Sequence, residues 1–586
     1  MNQKSDWIWK KYVDKRLCFV IEVFLILYWT NFLSQTSAHY IIYLLCSGLA
    51  FCSLGTRING KTQQICQSKI LILACVLTLP IILGNYDIFQ MSGEGRGLKL
   101  FRAGTLFCSS LIVFYNIFWV AYDFFLKFEY KVYAQVSKKG KICFFFIPFI
   151  VFALIDFIYL FFAVYPGVLT PDSFNQLRQI ESGIYSNHHP FYHTMLIKFF
   201  YGLGMNLFHD ANAAVATYFV FQIILMSLAL AYVTLTVYEI TASKKCAVPV
   251  ILYYALMPYF WNYSCTMWKD VIFGIAVAVF VVSLYRCRKK IGNEFLNDGL
   301  FFLSAVVFCL FRSNGIFVYT IVLLGFAFLL RKEQKKLWII SIVALVWALI
   351  MKGPVLNILG VSQPDLVEAL SIPEQQIARV IYNEKYIDDI DLERLNKVVD
   401  VAAVKENYKP YISDPIKSLI RKSSGNEILV DHKLEYLSLW VRLGIRYPMT
   451  YVAAWIEQTK GYWNAGYDYM FCVAGITQNE LGIFRVTRSE LFYKFTTRII
   501  TVIQHNSVLC ILVSIGLCFW LYLIMFWFNI ASKRDGWIEM VPFIAIVISL
   551  CIATPVFAEF RYSYALYAAI PFVIFSSMLS SINPIQ

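Results

Sequence analysis

Long apolar runs alternate with short polar breaks along most of the chain. Runs near 17–33, 39–55, 69–84, 104–122, 142–164, 213–238, 246–263, 270–285, 299–311, 315–330, 337–351, 507–529, 537–555 and 562–580 approach the roughly 20 residues that cross a hydrocarbon core. They predict an all-α polytopic membrane protein of about fourteen transmembrane helices, with both termini on one side. Residues 191–208 are also apolar. There Phe191, Met195, Phe199, Leu203 and Leu207 recur at i, i+4, which predicts a helix lying in the outer interface rather than crossing it.

Residues 352–506 break this pattern. Pro354, Pro364, Pro373, Pro410, Pro415 and Pro448 punctuate them, IPEQQIARVIY is amphipathic, and acids and bases balance. A stretch of about 150 residues can bury a core of its own, so a mainly helical extracellular domain is expected. The expected organisation is a four-span addition at 1–141, a seven-span module at 142–351 with an outer loop at 165–212, the extracellular domain at 352–506, and three spans at 507–586.

Composition agrees with a membrane protein. Of 586 residues 59% are hydrophobic and only 15% charged, against about 25% charged in soluble domains. A cytosolic enzyme and a disordered chain are thereby excluded. The net charge of +14 would suggest nucleic acid if it were spread over a surface. Instead, roughly half of the 51 Lys and Arg cluster in the tail 1–16 and in alternate short loops, as the positive-inside rule requires of cytoplasmic segments. The implied location is the plasma membrane, multi-pass, with cytoplasmic N- and C-termini and no nucleic-acid partner. The 15 Cys are scattered, without a disulfide framework.

Candidate chemistry gathers on the opposite side. After the fifth span the chain reads VYPGVLTPDSFNQLRQIESGIYSNHHPFYH. Thr170 is a helix N-cap and Pro171 a first helical residue, which holds Asp172 at a helix start. Phe174, Leu177 and Ile180 give that helix an apolar face expected to rest on the membrane. An acid in a first helical turn is favourable without any function. Yet Lys269 and Asp270 begin the eighth span, Arg312 and Asn314 sit in an outer turn, and Glu559, Arg561 and Tyr562 precede the last span. A single outer basic residue can snorkel to headgroups, whereas three opposite one carboxylate fit a phosphate site. His188 and His189 follow Asp172. His189 and His193, at i, i+4, can hold a metal, or hydrogen-bond substrate or backbone. Asp156, inside an apolar run, is expected to face the bundle interior and the same cavity.

The order YPG, PDS, Q and HHP, then MWKD, RSNG and EFRYSY, resembles the GT-C superfold of polytopic glycosyltransferases. It is similar to an uncharacterised group of such proteins in Gram-positive bacteria. The resemblance covers about residues 142–580. It implies a GT-C-like seven-span module in which the outer loop carries a catalytic acid and two interfacial helices. It also implies transfer of a sugar from a polyprenyl-phosphate carrier to an outer-face acceptor, such as a cell-surface glycan or teichoic acid, with inversion at the sugar carbon. Asp172 would take the acceptor proton. Lys269, Arg312 and Arg561 would hold the phosphate, with Asp270, Asn314, Glu559, Tyr562, His188 and His189 around the substrate. Asp172 is followed by Ser173 rather than a second acid, so no cofactor is certain and a divalent metal stays open. The aromatic stretch 461–471 can stack on sugar or form a buried core. A lipid-linked glycan flippase would instead show inverted repeats and broken spans. A glycan polymerase or ligase would share the phosphate site.

Overall fold

The computed structural model describes residues 18–33, 40–58, 67–89, 95–127, 136–329, 334–467, 469–473 and 475–578. Among them the chain is all-helical, with no strand and only isolated bridges. Five helices are long and apolar enough to cross a membrane: Arg96–Tyr122, Lys138–Phe162, Ala211–Thr241, Lys269–Lys289 and Lys335–Ile358. Shorter apolar helices include Cys18–Leu33, Tyr40–Leu54, Ser68–Gly84, Gly315–Ala327, Ile515–Ala531 and Ile538–Ala553.

The sides of these helices show what covers them. Lys138–Phe162 presents Ile142, Phe146, Ile150, Leu154 and Ile158 outward at i, i+4, each 40–53% exposed. Water would penalise such a stripe, and lipid would not. Its other face, with Phe152 and Tyr159, joins the main core. Lys269–Lys289 is buried on nearly every side, as suits an all-round apolar helix at the centre of a bundle.

Two expectations about elements need correction. The run 246–263 is not one span but two helices, Lys244–Leu256 and Pro258–Ser264. Proline disfavours a helical residue before it, and Met257 is extended at φ −76°, ψ 120°. The helix Pro171–Ser182 does not rest its apolar face on the membrane, because Phe174 and Leu177 are buried in the main core. In Phe191–Phe208 the apolar stripe is real but divided. Phe191 is buried, whereas Phe199, Leu203 and Leu207 stay 42–65% exposed. The face that packs inward is another one, with His193, Thr194, Ile197 and Gly204.

The stretch 352–506 divides by its cores. Val367, Ile381, Leu395, Ile420 and Leu439 belong to a separate core within residues 367–451. From Ala453 onward the chain contributes to the main core, through Ile456, Tyr462, Trp463, Tyr469 and Phe471. The aromatic stretch 461–471 is therefore chiefly a buried core, not a stacking surface. The N-terminal helices close their own core around Trp29, Leu77 and Phe114 against Trp520.

One helix orients the site. Lys269–Lys289 has 21 residues, hence a length of about 30 Å. At its C-terminal end Arg286 pairs with Glu239, which also binds Lys141 at 2.8 Å. Arg288 and Lys289 reach Asp535 at 2.8 and 2.9 Å. The basic residues Lys141, Arg286, Arg288 and Lys289 and their acidic partners Glu239 and Asp535 thus share one end of the bundle, and Lys269 begins the other. The tail 1–16, Lys61, Lys131, Arg331 and Lys332 lie outside the described residues.

Candidate functional site

Asp172 is placed by its helix start and by a neighbouring loop. The Ser173 hydroxyl accepts the Thr170 backbone N–H at 3.1 Å and donates to the Met267 carbonyl at 2.9 Å. The Val168 N–H donates to the Cys265 carbonyl at 2.7 Å, and the Met267 N–H to the Val168 carbonyl at 3.1 Å. The Trp268 indole donates to Thr170 Oγ1 at 2.9 Å. These bonds stitch the loop before Asp172 to the loop before Lys269. Gly167 makes the turn possible, with φ +136° and the Phe219 ring 1.9 Å from where a Cβ would stand.

The charged groups meet there. Arg561 Nη1 donates to Asp172 Oδ2 at 2.9 Å, and Lys269 Nζ lies 4.0 Å from the same oxygen. Arg561 also faces Glu559 Oε1 at 3.3 Å and lies over the Trp268 ring at 4.8 Å. Burial pushes the Asp172 carboxyl up, but Lys269, Arg561 and His189 more than offset it and hold it well below the usual carboxylate range. Burial pushes Glu559 up, partly offset by Arg561. The Asp172 side chain keeps 32% exposure, against 18% for Lys269 and 17% for Arg561, so solvent and ligands reach the carboxylate first.

The histidines serve different partners. Lys269 Nζ donates to His189 Nδ1 at 3.2 Å. An ammonium can only donate, so Nδ1 accepts and the ring proton sits on Nε2, which is buried without a partner. Burial, with Lys269 adding to it, lowers the His189 pKa to about 3. His193 instead pairs with Gln176 and with the Tyr218 hydroxyl at 2.9 Å, beneath the Asp172 helix. His188 stacks edge-on to His189 at 4.8 Å. Among the described residues no group of three His, Cys, Asp or Glu converges on a metal position. Asp172 is instead flanked by two cations, Lys269 and Arg561, which would repel a metal ion.

Arg312, Asp270 and Tyr562 form a layer behind this cluster. Arg312 is buried, 3.7 Å from Asp270 Oδ1, and donates to the Tyr562 carbonyl at 3.3 Å. The Tyr562 ring lies within 4.7 Å of the Arg312 guanidinium and 5.3 Å of that of Arg561. Asn314 lies apart, donating to Ser549 Oγ at 3.3 Å. Asp156 contacts Ser264 and Cys265.

A family model described as a family of unknown function (DUF6020) matches residues 150–586. The chain belongs to the DUF6020 family. No curated protein and no solved structure matches it. The DUF6020 region contains every residue of the site and leaves out the helices before residue 138.

The DUF6020 site also uses residues the sequence did not single out. Trp268 is both a tether to Thr170 and the surface under Arg561. Tyr462 donates to the Val556 carbonyl at 2.8 Å and accepts the Glu559 N–H at 3.0 Å, which positions the turn carrying Arg561. The Ser413 N–H donates to the Pro555 carbonyl at 2.9 Å, and the Phe557 N–H to the Tyr411 carbonyl at 2.8 Å, so the 367–451 unit grips that turn. Lys352 Nζ donates to the Arg312 carbonyl at 2.6 Å. MWKD already contained the signal for Trp268. The others are contacts between segments distant in sequence and left no local pattern.

Proposed function

We propose that this DUF6020 protein is a membrane glycosyltransferase of GT-C type, with about fourteen spans and an extracellular 352–506 stretch. It moves a sugar from a polyprenyl-phosphate carrier to an acceptor on the outer face of the plasma membrane. The observation that carries the reading is the convergence of Asp172, Lys269 and Arg561, three residues far apart in sequence, at the bundle end opposite the basic clusters. A lipid-borne donor explains a phosphate site at a bilayer surface.

The chemistry follows from the charges. The acceptor hydroxyl attacks the sugar carbon, its proton passes to Asp172, and the carbon–oxygen bond to phosphate breaks with its electron pair on the phosphate. A positioned base contributes roughly 10²–10⁴-fold. Pre-placed cations on the leaving group add a term often larger still. Before the donor binds, Lys269 and Arg561 neutralise Asp172. When phosphate oxygens take over those cations, the carboxylate loses its counter-ions and becomes a better base. The unpartnered His189 Nε2–H is a further donor for the substrate, and Arg312 with Asp270 braces Tyr562.

Binding tests the site. The full chain in nanodiscs should bind polyprenyl phosphate, and Lys269→Gln or Arg561→Gln should weaken it about tenfold or more, as loss of a charge-assisted bond implies. Lys289→Gln, at the other end of the bundle, should leave it unchanged. Equal affinity in all four proteins would remove the phosphate site.

A further inference from the structure

The 367–451 unit holds a cavity that the sugar-transfer reading does not use. Its volume is about 320 Å³, roughly twice that of an engineered apolar cavity of about 150 Å³ that stays dry and binds benzene. Leu395, Val399, Ile416, Leu429 and Trp440 line it. Only Glu374 and Lys433 among the lining residues carry charge. Protein interiors are otherwise close-packed, so a space of this size with chiefly apolar walls stands out.

Glu374 makes the cavity more than a packing fault. It is 7% exposed, and both of its carboxyl oxygens are buried with no hydrogen-bond partner. Burial raises its pKa to about 8, Lys417 only partly opposing this, so at neutral pH the group is largely a neutral acid able to donate one hydrogen bond. A buried donor without a partner is costly, and an oxygen-bearing ligand would satisfy it. The unit is also turned toward the site. Glu368, between the lining residues Leu366 and Leu370, pairs with Lys417 at 3.0 Å and acts electrostatically on His188.

We propose that this cavity binds one linear hydrocarbon chain of a lipid, with an uncharged hydroxyl or ester head against Glu374. The chiefly apolar walls and the unpartnered Glu374 carboxyl match an amphiphile and not a sugar. The proposal does not depend on catalysis and is read without turnover.

Photolabelling tests it. The full chain in nanodiscs is irradiated with dodecan-1-ol bearing a diazirine, and labelled peptides are mapped. Label is expected on lining residues between 366 and 440, displaced by excess unlabelled dodecan-1-ol or by farnesol. The better competitor names the source, an acyl or a prenyl chain. Ala378→Trp and Val399→Phe, which fill the space, should each lower that labelling at least tenfold. Glu374→Leu should erase the preference for the alcohol over the matching diazirine-bearing dodecane. Label confined to the membrane helices, or displaced by neither competitor in the wild-type protein, would overturn the proposal.

Discussion

Asp172 is occupied by the same two cations that a phosphate would need. This gives its replacement two effects of opposite sign. Asp172→Asn should lower sugar transfer about 100-fold or more, as loss of a general base does. The same variant should bind polyprenyl phosphate several-fold more tightly, because the competing carboxylate is gone. Titration of a labelled polyprenyl phosphate checks the second effect, and unchanged or weaker binding would contradict it. His189 carries a pH prediction. Its folded pKa of about 3 lies below the usual 6.5 or so, so protonation favours the unfolded chain. Stability is full above pH 6.5 and falls as pH drops toward 3, by up to about 1.4 kcal/mol per pH unit from this group. Thermal midpoints at pH 7 and pH 5 should differ less in His189→Gln than in the wild-type protein. At this scale the sequence was informative about residue identity. Asp172, Lys269 and Arg561 stood out because charges are rare in the short turns expected on the outer side of such a chain. That Arg312 is committed to Asp270 and Tyr562, and Asn314 to Ser549, depends on side-chain direction and left no trace in spacing.

Among elements, helix punctuation was readable and helix environment was not. Thr170 and Pro171 announced the start of Pro171–Ser182, and the structure keeps both roles. Phe174 and Leu177 marked an apolar face, but apolarity alone does not say whether lipid or protein covers it. Pro258 split the 246–263 run for a reason visible in one residue, although overall hydropathy masked it. Ser173 is a positioning residue, tying the Asp172 helix to Met267. Ser173→Ala should cost about 1 kcal/mol, the scale of a lost cap. It should lower kcat while leaving the KM for lipid donor near wild type, because Lys269 and Arg561 stay in place. A rise in KM with kcat unchanged would assign Ser173 to donor binding instead.

For the whole molecule, the alternation of basic loops anticipated a two-ended bundle, and Lys269–Lys289 has the site at one end and Arg286–Lys289 ion pairs at the other. The grip of the 367–451 unit on the turn before Arg561 was not legible, since it is made by backbone bonds between segments that share no pattern. Sidedness is the prediction at this scale. With an impermeant maleimide on intact cells, Arg178→Cys should label and Lys290→Cys should not. The reverse pattern would put the Asp172 site in the cytosol. The most direct measurement follows a radiolabelled sugar on polyprenyl phosphate in membranes containing the wild-type chain or Asp172→Asn at equal abundance. The account predicts that label leaves the lipid carrier for a cell-surface acceptor only with the wild-type chain. Equal transfer by both chains would contradict it, as would label that stays on the carrier with every polyprenyl-phosphate sugar supplied.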